Sequence, residues 1–137
     1  MTKIARTKKS IGDSTILIIV YEHIIRHILT KILTVKGHKV VACSVGYKGI
    51  RAFEKGKGKY DLVIMGICLP DIDCLNLAKR IKAVSQKTPV MLIKKVWGKA
   101  IDIKELKDAG VDFILKIPFY VDKTLSLVEN ALAKIHQ

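Results

Sequence analysis

Apolar residues along this chain follow two alternating rhythms. TILIIV at Thr15–Val20, KVVAC at Lys39–Cys43, LVIM at Leu62–Met65 and VMLI at Val90–Ile93 are short, branched and largely uninterrupted, as in strands covered on both faces. Val111–Ile117 contains a fifth such strand. Between them the spacing changes to three- and four-residue steps. Ile24, Ile25, Ile28, Leu29, Ile32 and Leu33 predict a helix over Glu22–Val35 with one buried stripe, stopped by Gly37. Tyr47–Lys55 predicts a helix with Ile50 and Phe53 inward, and Asp73 is placed to cap a helix opening at Leu75 that buries Leu75, Leu77, Ala78 and Ile81. Ile101–Ala109, closed by Gly110, and Val121–Ile135, with Leu125, Val128, Leu132 and Ile135 in register, complete the set. Five strands alternating with five helices predict an α/β, three-layer doubly wound sheet in which each crossover is long enough for a right-handed βαβ unit.

Length sets this as one domain over residues 14–137, preceded by a basic tail over residues 1–13 that carries Lys3, Arg6, Lys8 and Lys9. Half the residues are hydrophobic, which excludes a disordered polymer. No apolar run approaches the ~18 residues of a membrane span, and the lysines before Ser10 lack a following apolar segment, so a soluble cytoplasmic protein is expected. Cys43, Cys68 and Cys74 lack zinc-site spacing and are expected to be free, buried thiols. The net charge of +13 is the unusual total. It favours polyanions or acidic proteins as partners, against the plainer alternative of a solvated lysine-rich surface.

The segment YDLVIMGICLPDIDCLNL, Tyr60–Leu77, resembles the phosphoacceptor segment of two-component response regulator receiver domains (CheY-like), in which an aspartate ends the third strand shortly before a proline. The resemblance covers Ser14–Ile135 and implies the flavodoxin-like sheet order 2-1-3-4-5. By the same match Gly66 stands where the family has its phosphoacceptor, and Tyr21 and Glu22 stand where it has an acidic pair that helps hold magnesium. One carboxylate in place of three makes magnesium an unexpected ligand, so no cofactor is expected. Lys94 matches the family's Thr or Ser after the fourth strand. Near the fifth strand's end, Ile117 and Ile114 match the family's Lys and aromatic in an ungapped register; a bulge would give those positions to Lys116 and Phe113. The hydrophobic frame is kept and the phosphoryl chemistry replaced, as in a pseudo-receiver.

The leading expectation is therefore a signalling module that works by protein contact without aspartyl phosphorylation, and not an enzyme. The family's usual contact face would carry Lys99, Lys104, Lys107, Tyr120 and Lys123, which suits an acidic partner. Two alternatives stay open: non-specific nucleic-acid binding, and capture of a small anion by Lys94 and Lys116 in a pocket that a Glu22–lysine pair would otherwise close. His23 and His27 have metal-compatible spacing without a third ligand, and the lysine–glycine run after Glu54 lacks a phosphate-loop pattern. Oligomeric state, kinase and partner identity are not readable.

Overall fold

The computed structural model describes residues 14–95, 101–117 and 121–135. Strands β1 (Thr15–Ile19), β2 (Lys39–Cys43), β3 (Leu62–Gly66), β4 (Val90–Lys95) and β5 (Phe113–Ile117) alternate with helices α1 (His23–Val35), α2 (Gly46–Gly56), α3 (Cys74–Val84), α4 (Ile103–Ala109) and α5 (Val121–Ile135). The strands form one parallel sheet in the order β2-β1-β3-β4-β5.

Pleat alternation sorts the strand side chains into two cores. Leu17, Ile19, Val63, Met65, Val90 and Leu92 pack toward α2, α3 and α4. Ile16, Ile18, Val20, Leu62, Ile64, Met91, Ile93, Leu115 and Ile117 pack toward α1 and α5. Residues 16–19 and 62–65 are all buried, which explains why their sequences show no polar alternation. Gly37 adopts φ 95° just past α1, and its amide and that of His38 donate to Thr34 O and Leu33 O, satisfying the helix's last carbonyls.

Several local expectations change. Only Leu29 and Leu33 of α1 are fully buried, whereas Ile24 and Ile28 are 70% and 39% exposed, because the six apolar positions span more of the helix than one sheet can cover. Helix α3 opens at Cys74 rather than Leu75. Asp73 is its N-cap residue but makes no side-chain cap bond, and Cys74 joins the buried face while Leu75 is half-buried. Only Cys74 of the three free thiols is buried; Cys43 is half-buried and Cys68 exposed. Among the described residues, no helix is long and apolar enough to cross a membrane.

Candidate functional site

The carboxyl ends of the strands in an open α/β sheet form the crevice where chemistry collects. Among the described residues, the space behind the end of β3 is small. A cavity of about 10 Å³ lies between Val20, Glu22, Ile25, Gly66, Ile67, Ile93, Lys95 and Ile117, room for no more than one water. Gly66 is the last residue of β3 and alternates with Leu62 and Ile64, so a side chain there would point toward the α1 and α5 layer. Its backbone does not demand glycine. A Cβ would meet Val20 at 3.7 Å, an ordinary contact.

Glu22 brings the one carboxylate on the cavity wall, and it faces Lys95 at 3.3 Å, both side chains about one-third exposed. Motif spacing pointed to Lys94 and passed over Lys95. Strand geometry explains the difference: Lys94 alternates with Val90 and Leu92 onto the opposite face, while Lys95 follows Met91 and Ile93 toward the cavity. The same rule separates Lys116 from Ile117. β5 pairs with β4 residue for residue from Phe113 to Ile117 without a bulge, so Ile117 lines the cavity and Lys116 is exposed on the other face beside Lys94, its β4 partner. The cavity thus includes neither lysine offered as an anion ligand. Ile114 and Phe113 line a separate cleft of about 190 Å³ with Ile103, Leu106 and Val111.

Tyr21 does not line the cavity; it is 54% exposed. The Arg26 guanidinium donates to Val20 O at 2.8 Å and to Tyr21 O at 3.1 Å, fixing this turn with Val20 inward and the phenol out.

Asp71, in the loop after β3, is committed elsewhere. Its two carboxylate oxygens accept the Gly46 and Tyr47 amides at 2.8 and 2.9 Å, capping α2 from 25 and 24 residues away because Val45, the residue before α2, offers no side-chain cap. Desolvation pushes the Asp71 carboxyl up, but the amides of Tyr47 and Gly46, with its own, outweigh it and hold it below the usual carboxylate range. Ile72 packs so closely on Gly46 that a side chain there would clash. Cys74 follows on α3, its thiol pushed up first by burial and then by the nearby Asp73 carboxylate. The His23 and His27 rings stack 6.1 Å apart, and among the described residues no three His, Cys, Asp or Glu side chains cluster as a metal site would.

Of the candidate contact residues, Lys104, Lys107 and Lys123 are exposed, while Lys99 and Tyr120, like Trp97, lie outside the described residues. The helix bearing the first two is not simply basic: Asp102, Glu105 and Asp108 intersperse with them.

The sequence matches the response regulator receiver domain over residues 16–129. The chain belongs to the response regulator receiver family. It is 30% identical over 108 residues to the chemotaxis protein CheY of Bacillus subtilis, an alignment covering 78% of this chain and 88% of that protein. It is 31% identical over 112 residues to the transcriptional regulatory protein YcbL of the same species, covering 79% of this chain but 43% of the relative. This receiver therefore spans less than half of that regulator's length. A response regulator receiver domain from Clostridium thermocellum superposes with a TM-score of 0.81 at 21% identity, covering 89% of this chain and 96% of that one. The receiver domain of the sensor histidine kinase PA1611 from Pseudomonas aeruginosa, whose structure has a magnesium ion in its active-site cleft, superposes at 0.77 with 19% identity, covering 88% and 98%. These likenesses establish the receiver fold and a role in two-component signal transduction.

Proposed function

We propose that this receiver is a pseudo-receiver: it passes signals through contacts of its folded surface, without phosphoryl transfer to position 66 and without magnesium. The observation that carries this reading is the cavity behind Gly66, which is about 10 Å³ and bordered by aliphatic side chains, a glycine and the Glu22–Lys95 pair. Magnesium binds through hard oxygens and retains several waters, so one lysine-paired carboxylate in so small a space does not fit it. Phosphoryl transfer relies on a positioned acceptor oxygen and on cations that carry developing charge. Gly66 supplies no side-chain oxygen, and both Asp71 carboxylate oxygens are engaged by α2 amides.

Protein partners are the natural readout for such a module. The cleft of Ile103, Leu106, Val111 and Ile114 offers an apolar contact, and its flanking lysines alternate with acids, so shape and apolar fit would govern it more than an acidic partner would.

Incubation with acetyl phosphate and magnesium, followed by intact-mass measurement, tests the proposal. The expected spectrum is that of the untreated chain. A phosphoryl adduct that requires magnesium would overturn it, and peptide mapping would identify the acceptor.

A further inference from the structure

The +13 charge is concentrated on one side of the fold. Residues 23–60, which build α1, β2 and α2, hold nine Lys and Arg and a single acid, Glu54. Residues 101–137, which build α4, β5 and α5, hold five lysines and six acids. β2 and β5 are the two edges of the sheet, so the strongly basic elements meet at one edge and the charge-balanced ones at the other.

The geometry gathers these cations around β2. Lys39 opens the strand and is exposed. In a parallel α/β layer each helix runs back against its strands, so the end of α1 comes down beside the start of β2 and brings Lys36 with it, while α2 begins just past the end of β2 with Lys48 in its first turn and carries Lys55 down toward the start of β3 on the other face. Lys48 and Lys55, two turns apart on α2, lie on one stripe. That stripe lies opposite the buried Gly46, Gly49, Ile50 and Phe53 and so faces solvent; at its start Lys48, with Arg26 from α1, opposes the burial that pushes the Cys43 thiol of β2 up. Arg26 is spent on backbone carbonyls, whereas Lys36, Lys39, Lys48 and Lys55 are exposed.

We infer that the β2 edge, with its flanking α1 and α2 lysines, is a docking surface for the phosphate backbone of a nucleic-acid duplex. A five-residue strand extends ~17 Å, opposite which a duplex presents ~10 negative charges. The surface is rich in lysine, which is depleted at the centre of protein interfaces and serves well for phosphate contacts that position without reading sequence. A membrane surface would require apolar groups among the cations. The exposed Ile24 and Ile28 stand two residues either side of Arg26, about 160° around α1, and so turn away from the flank that reaches β2.

Fluorescence anisotropy of a labelled random-sequence DNA duplex of ~20 base pairs, titrated with the full chain across salt concentrations, tests this. One variant replaces Lys36, Lys39, Lys48 and Lys55 by Gln, and its control replaces Lys104, Lys107, Lys116 and Lys123 by Gln. The two lose equal charge from opposite edges. The β2-edge variant should bind ~10-fold or more weakly at ~50 mM salt with a log–log salt slope shallower by ~3, and the control should stay within ~2-fold of the parent. Equal weakening of both variants, or no binding by the parent at low salt, would overturn the assignment. So would tighter binding to polyglutamate or to phosphatidylserine vesicles than to the duplex.

Discussion

The two ends of the sheet use polar side chains in opposite ways. At the amino ends of the strands, two aspartates act as matched clamps. Asp61, just before β3, accepts the Thr15 amide at 3.0 Å and returns its own amide to Thr15 O at 2.8 Å. Asp112, just before β5, does the same with Val90 at 3.0 and 2.8 Å, and its carboxylate also takes Lys82 at 2.8 Å. Lys82 in turn donates to Thr88 O and Gln86 O. At the carboxyl ends, Arg26 and Asp71 tie the turns after β1 and β3 to backbone groups, and among the described residues the cavity behind Gly66 is bordered by one ion pair, Glu22–Lys95, about one-third exposed. At the amino ends these groups join strand to strand in a largely shielded setting; at the carboxyl ends they hold turns and a helix start, and the described space behind Gly66 is small and mostly apolar.

Asp112→Ala should be the costliest way to test that contrast. It removes an acceptor from both Lys82 and the Val90 amide in a largely buried setting, for an expected loss of about 2–4 kcal/mol in urea unfolding. A loss smaller than that of any change at the cavity would break the comparison.

At Gly66 two substitutions should move in opposite directions. Gly66→Ala adds only the Cβ that the site admits and reduces unfolded-state freedom, so a gain of about 0.5–1 kcal/mol is expected. Gly66→Asp drives a carboxyl into the apolar cavity and should cost about 2 kcal/mol at neutral pH. Burial raises the folded-state pKa of that carboxyl, so the penalty should be small below its unfolded value and grow as pH rises through it. Thermal unfolding at several pH values would report both. A stable Gly66→Asp chain at neutral pH would mean that the cavity opens to water.

The smallest expected loss is at Asp71. Asp71→Ala frees two amides at the α2 start and should cost about 1 kcal/mol. Because the folded pKa is depressed, the stabilisation is fully present above the ordinary carboxylate pKa and is lost as pH falls through the folded value. The wild-type and variant stability curves should therefore converge in acid.

How much of this the sequence disclosed depends on range. Strands such as Leu62–Gly66 were visible because burial on both faces leaves an unbroken apolar run, and the turns at Gly37 and Gly110 because a left-handed φ favours one residue. A Glu22–lysine pair was readable as an alternative, but not that its lysine is Lys95, because motif spacing names one position at a strand end, whereas the pleat decides which of two neighbouring lysines faces the cavity. The exposure of Ile24 and Ile28 was hidden because an apolar helix does not announce which flank its neighbours leave bare. Asp71 looked like an ordinary loop acid, since nothing local tells a carboxylate to cap a helix that began 25 residues earlier.

That cap also works as a clock. The Gly46 and Tyr47 protons are held by Asp71 alone among side chains, so neither can be traded for deuterium until the loop after β3 lets go. Their exchange reports how often the contact between that loop and the α2 start comes apart, so two amides at the head of α2 gauge a junction with a segment that contributes no residue to that helix.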